Sequence, residues 1–167
     1  VSGRDDAALL RLLQDHRVPH VVIGGWAVIT HGYVRYTKDI DVLIPDTPDA
    51  RRAAARALSS VHARRLDGQP IAADSEMPAQ GWQLDTDHGR IDLLLEGEPP
   101  LDFASVQSSA VETTMDEVTL SVADLPHLVA FKRLAGRPHD RLDLDELAAL
   151  NGGELPLLSI PGVDESL

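Results

Sequence analysis

Two aspartates inside an otherwise apolar strand constrain this chain more than any other feature. Asp39-Ile40-Asp41-Val42-Leu43-Ile44 reads as a strand closed by Pro45. Alternate side chains of a strand share a face, so Asp39, Asp41 and Leu43 point one way and Ile40, Val42 and Ile44 the other. Aspartate is depleted in strands, and these like charges lie roughly 6–7 Å apart along one face. A divalent cation between them turns repulsion into ligation. The plainer alternative is a strand end where both carboxylates are hydrated. Asp92 adds a third carboxylate in a second apolar strand, Ile91-Asp92-Leu93-Leu94-Leu95. If the two strands are neighbours, three hard oxygen donors converge, a set suited to Mg²⁺ or Mn²⁺.

Gly24-Gly25 stands between a short apolar strand at 20–23 and a helix expected at 26–31. Glycine lets backbone N–H groups come close to a phosphate, and a helix N-terminus adds a positive dipole. A Gly-Gly pair alone is also an ordinary turn. The order strand, Gly-Gly, Asp-x-Asp and then a later strand carboxylate carries the information.

The rest of the chain falls into short alternating elements. A helix at 5–17 has Leu9, Leu10, Leu12 and Leu13 as its stripe and aspartates at its positive end. Thr47 followed by Pro48 starts a helix reaching about residue 60. Residues 66–80 lack a period and read as a mobile surface loop. Residues 81–95 read as a hairpin turning at Asp87-His88-Gly89, and 112–123 as a second hairpin turning at Asp116-Glu117. Helices at 124–135 and 138–150 follow, parted by Gly136-Arg137, and the tail from Asn151 wraps the surface. These elements give an α+β fold: one domain over residues 1–167, core about 20–150, with a mixed twisted sheet and helices over one face.

Composition narrows the function. The 167 residues carry 15 Lys and Arg against 27 Asp and Glu, a net charge of −12, so a nucleic-acid partner needs a local basic patch or a bound metal. With no cysteine there are no disulfides, thiolate nucleophiles or Cys-type zinc sites. No apolar run approaches the ~18 residues of a membrane span. No signal-peptide pattern opens the chain, and a cytoplasmic location is expected. Pro19 separates His16 from His20, and His31 reads as a packing residue.

Val22-Ile23-Gly24-Gly25, then Asp39-Ile40-Asp41-Val42, then Ile91-Asp92-Leu93 resemble the DNA polymerase beta-like nucleotidyltransferase superfamily. The motifs Gly24-Gly25-Trp26-Ala27 and Arg35-Tyr36-Thr37-Lys38-Asp39 look like its minimal branches: the AbiEii-like, toxin-type enzymes and the aminoglycoside and lincosamide nucleotidyltransferases. The run from Leu128 through Lys132, Arg133, Arg137 and Asp140 to Asp143 is most similar to the toxin-type branch. The resemblance spans about residues 20–150.

It implies a metal-dependent enzyme moving a nucleoside monophosphate from an NTP, such as ATP, to a hydroxyl acceptor. The acceptor would be tRNA or a protein, with a cognate antitoxin as partner, or else a small molecule. A non-catalytic nucleotide-binding protein is the competing class. Asp39 and Asp41 would hold the metal on the triphosphate; Asp92 would join them on the metal facing the acceptor hydroxyl and could accept its proton. Gly24, Gly25, Arg35 and Thr37 would meet the nucleotide. Lys132 reads either as a phosphate clamp or as a lysine snorkelling at a helix edge, and Asp140 either as a first-turn acid or as a group orienting Lys132. Arg35, Lys38, Lys132, Arg133, Arg137 and Arg141 together would form a basic rim around the site.

Overall fold

A computed structural model describes residues 3–164. The elements are α1 (Asp6–Asp15), β1 (Val21–Ile23), α2 (Gly24–Thr30), β2 (Asp39–Ile44), α3 (Pro48–Ser59), β3 (Arg64–Arg65) and β4 (Trp82–Thr86). They continue with β5 (Gly89–Leu95), α4 (Phe103–Ser108), β6 (Val111–Met115), β7 (Val118–Val122), α5 (Leu125–Ala135) and α6 (Pro138–Leu150). The strands form one sheet in the order β3-β4-β5-β2-β1-β7-β6. The β2–β5 and β1–β7 pairs are parallel and the others antiparallel, so the sheet is mixed as expected.

Local chemistry explains most boundaries. Asp5 caps α1 by accepting from the Ala8 N–H at 3.0 Å, and Thr47 caps α3 by accepting from Ala50 at 3.1 Å ahead of Pro48. The hairpin β6–β7 turns on Asp116 and Glu117, both with positive φ, as a two-residue loop of the primed kind demands. Gly136, with φ 61°, ends α5 in the left-handed conformation.

The two faces of the sheet divide the labour. Val22, Ile40, Val42, Ile44, Ile91 and Leu93 face a large core built with Leu9, Leu10 and Leu13 of α1 and Ala54, Ala57 and Leu58 of α3. Several of these side chains are fully enclosed, and each such Leu or Ile contributes roughly 1.5–3 kcal/mol. On the other face, Val21, Ile23 and Leu43 pack against Phe103 and Val106 of α4 and against Phe131 of α5. Helices therefore cover both faces, and the single-face expectation is corrected. A six-residue helix after a Gly- and Pro-rich stretch has too little periodicity to be read from sequence.

Residues 66–80 also differ from expectation. The segment is pinned: Ile71 and Met77 are buried, the Ile71 N–H donates to the Ala63 carbonyl at 3.0 Å, and Arg51 donates to the Met77 carbonyl at 3.0 Å. Two isolated apolar residues anchor it without any repeating pattern. The C-terminal tail does wrap the surface, with Ile160 buried beside Leu101 and Ala130.

Candidate active site

The parallel pairing of β2 with β5 assembles the site. Its register sets Asp39 opposite Arg90, Asp41 opposite Asp92 and Leu43 opposite Leu94. Partners in register share a face, so all three aspartates project to the face bearing Ile23 and Leu43. One carboxylate oxygen from each of Asp39, Asp41 and Asp92 lies within 4.8 Å of the other two, and no second cluster of this kind occurs among the described residues. The hydrated-strand-end alternative fails for Asp41, whose carboxyl is pushed up to about 7. Burial is the main cause, followed by the charges of Asp39 and Asp92. Asp92 is raised too, by burial and then by Asp39, with Arg90 opposing. Hard, converging and mutually repelling oxygens are what a divalent cation such as Mg²⁺ binds.

The cleft above the triad measures about 680 Å³ and is lined by residues from β1, α2, β2, β4, β5, α5 and α6. Gly24 and Gly25 lie in it, but as the opening residues of α2, since the helix begins two residues earlier than its sequence pattern indicated. Gly24 has φ +68°, and a Cβ there would collide with the Asp41 carboxylate; at Gly25 a Cβ would meet the Thr37 Oγ1 at 2.5 Å. The pair therefore makes room for Asp41 and Thr37. Helix α2 has only seven residues, so its dipole is a minor part of the site.

Lys132 lines the cleft, and one of its two readings can be discarded. It is only 5% exposed, so it does not snorkel. Its Nζ lies 3.0 Å from Asp140 Oδ1 and 2.8 Å from Asp143 Oδ2, which engages two of its three donors. Asp140 is wholly buried and accepts from the Arg137 backbone N–H at 3.1 Å and from its Nε at 2.7 Å, so it is both a first-turn cap of α6 and the group that orients Lys132. Burial alone would raise its pKa, yet the bonds from Arg137 and Lys132 hold it at about 2. Asp143 is likewise held low against burial by Arg35 and Lys132. Arg35 makes a two-pronged contact to Asp143, with Nε and Nη2 each at 2.8 Å, and so ties the loop before β2 to α6. Thr37 lines the cleft and donates to the Asp39 carbonyl at 3.2 Å.

The expected basic rim is only partly realised. Arg35, Lys38, Lys132 and Arg137 line the cleft; Arg133 turns instead to the tail, donating to the Leu158 carbonyl at 3.1 Å and to Asp164 at 2.5 Å, and Arg141 is not among the lining residues. The sequence assigns no role to three other lining residues: Arg90, Gln83 and Asp143, the last appearing only as the end of the run from Leu128. Gln83 is in register with Asp92 across β4–β5. The clue to Arg90 was its place two residues before Asp92, on the same face of the strand. His31 is the packing residue expected, with Nε2 2.8 Å from the Ala123 carbonyl.

No helix among the described residues is long and apolar enough to cross a membrane. No family model matches the chain, and no curated protein matches it. Solved structures do. The crystal structure of ANT(2″)-Ia in complex with adenylyl-2″-tobramycin aligns with a TM-score of 0.58 at 16% identity, over 87% of this chain and 86% of that one. The solution structure of the same antibiotic-resistance factor gives 0.60 at 16% identity, over 87% and 80%. An antigenic nucleotidyltransferase-like protein from Paracoccidioides brasiliensis gives 0.51 at 16% identity, over 95% and 77%. At this level of identity the likeness speaks to architecture, and the chain has the fold of these nucleotidyltransferases.

Proposed function

We propose that this protein is a metal-dependent nucleotidyltransferase that moves a nucleoside monophosphate from an NTP to a hydroxyl acceptor. The observation carrying this reading is the convergence of Asp39, Asp41 and Asp92 within 4.8 Å on the floor of an open cleft. The shared fold with nucleotidyltransferases supports it. Held by these three carboxylates, Mg²⁺ or Mn²⁺ would neutralise charge on the triphosphate and make the acceptor hydroxyl more acidic.

The chain's own residues supply the rest. The acceptor oxygen attacks the α-phosphorus, the bond from that phosphorus to the bridging oxygen breaks, and pyrophosphate leaves. Asp92 lies at the side of the triad next to Gln83 and takes the proton lost by the hydroxyl. Gly24 and Gly25 leave room for Asp41 and Thr37 and line the cleft in which the triphosphate would lie. The remaining donor of Lys132, fixed by Asp140 and Asp143, meets charge developing on the leaving pyrophosphate. Arg35 serves that lysine by holding Asp143 in place.

For the acceptor, the charges on the cleft wall favour a phosphate-bearing molecule such as the end of a tRNA. Apart from the triad, the lining acids Asp140 and Asp143 are buried and paired with Arg35, Lys132 and Arg137, which leaves the exposed Lys38 and the Arg90 beside the triad as the cations not held by those acids. A polycationic acceptor needs unpaired acids that this wall does not offer. The likeness to a structure carrying adenylyl-2″-tobramycin favours a second reading, a small hydroxylated compound. Incubation with each labelled NTP and Mg²⁺, offered tRNA, protein and small hydroxylated compounds in turn, separates the two. Absence of binding by every NTP–metal pair at millimolar concentration would overturn the assignment as an enzyme.

A further inference from the structure

Of the cations lining the cleft, Arg90 alone is bound to the triad itself. Its Nε lies 3.3 Å from Asp92 Oδ1 and 3.7 Å from Asp39 Oδ2, so one guanidinium bridges two of the three proposed metal ligands. Three of the other cations have fixed partners elsewhere: Arg35 is held by Asp143, Arg137 by Asp140, and Lys132 by both, while Lys38 is exposed at the cleft edge. The geometry comes from the backbone. Residue 90 stands opposite Asp39 in the parallel register and two residues before Asp92, so its side chain leaves the sheet between those two carboxylates. The Arg90 side chain is about a quarter exposed and lines the cleft, so its head is free to turn towards a bound molecule.

We propose that Arg90 is an exchangeable counter-cation. In the metal-free protein it bridges Asp39 and Asp92 and so keeps a mutually repelling triad assembled. When a divalent cation occupies the triad, Arg90 gives up both carboxylates and turns its donors to the phosphate oxygens of the nucleotide that arrives with the metal. This inference rests on the proposed nucleotidyl-transfer site and adds to it a positioning residue for the triphosphate. Arginine suits both roles, because its planar fork matches carboxylate and phosphate alike and keeps its charge at any working pH. The exchange costs little, since a guanidinium displaced from carboxylates finds the phosphate oxygens within the same cleft. A guanidinium serving only to tie β5 to β2 would have no such second partner.

The test separates the two halves by measuring Mn²⁺ affinity with and without a non-hydrolysable NTP, using calorimetry and the electron paramagnetic resonance of free Mn²⁺. Removing a competing positive charge should make Arg90→Gln bind Mn²⁺ alone about tenfold more tightly than the native protein. The same variant should bind the Mn²⁺–nucleotide complex about tenfold more weakly, having lost a charged phosphate contact. Arg90→Lys keeps the charge but not the fork: it should bind Mn²⁺ alone nearly as the native chain does, and the nucleotide complex more weakly. A purely structural arginine would shift both affinities in the same direction, and that outcome, or no change in either with an unaltered Tm, overturns the proposal. If Arg90→Gln does not fold, the lysine variant decides, and native affinity for the nucleotide complex in it overturns the proposal. Failure of the native protein to bind Mn²⁺ at all would instead defeat the metal-site reading on which this one rests.

Discussion

Asp41 of β2 and Asp92 of β5 stand directly opposite each other across a parallel strand pair, a placement in which like charges repel. Nothing in the fold requires acids there, since hydrophobic partners would satisfy the same register. The conflict is relieved in part by Arg90 and suits the divalent cation proposed for this site.

Stability of the metal-free protein should therefore fall as pH rises. Asp41 has its folded-state pKa at about 7, well above the ordinary carboxyl value. A group raised in this way stabilises the fold fully below its unfolded pKa of ~3.9, and that contribution is lost as pH rises through the folded value. In a chelating buffer, Tm should decline from about pH 4 to about pH 7 and level off above that, and Mg²⁺ should restore more of it at the upper end. Asp41→Asn should flatten the decline and abolish the Mg²⁺ effect. A flat profile in the native protein would contradict this account.

Lys132 should prove structural as well as functional. Substituting Met leaves Asp140 and Asp143 buried without their shared lysine, and breaking such a pair from one side costs about 3–5 kcal/mol. Chemical denaturation of Lys132→Met should show that loss, with a slope like that of the native chain. A loss below about 1 kcal/mol would place the lysine at the level of a surface pair.

Gly24→Ala places a methyl group at a backbone with φ +68° and against the Asp41 carboxylate. The left-handed backbone alone costs roughly 1–2 kcal/mol. The displaced carboxylate should weaken Mn²⁺ binding further than that strain explains. Calorimetry on the folded variant measures this, and unchanged Mn²⁺ affinity would show that Asp41 needs no such clearance.

Gln83 is exposed and faces Asp92 across β4–β5. Gln83→Ala should leave stability within about 0.5 kcal/mol of native, as exposed substitutions do. It should raise the KM for the acceptor and leave that for the NTP unchanged. An effect on NTP alone would reverse the assigned sides of the cleft.

Salt dependence distinguishes the acceptor classes. Transfer to tRNA should weaken steeply between low and physiological salt, because phosphate contacts release counterions. Labelling of a small hydroxylated compound with no labelling of any RNA would remove the tRNA reading and leave nucleotidyl transfer standing.

The triad was legible in sequence because acids inside apolar strands violate a strong local pattern. The two hairpins and the Thr47 cap of α3 were also legible, because each is written in adjacent residues, whereas Asp5 read only as an acid at the start of α1 and proves to be its cap. Arg90, Asp143 and Gln83 were not legible, because an arginine before a strand acid, an acid on a helix and a glutamine in a hairpin are all ordinary locally. Their meaning comes from register and from the approach of α6 to the loop before β2. Lys132 was visible as a candidate, but its burial depended on carboxylates of the following helix. The short α4 and the anchoring of 66–80 rest on single buried residues, Phe103, Val106, Ile71 and Met77, which no periodicity announces.

The parallel β2–β5 pairing also bears on how the chain reaches its native state. The two hairpins close through short turns, whereas β2 meets β5 only after α3, the pinned segment and β4 have been threaded between them. Such non-local pairings form slowly relative to hairpins. The three carboxylates therefore come together late, and a refolding chain should acquire its Mn²⁺ affinity in its slowest phase, well after the hairpins have closed.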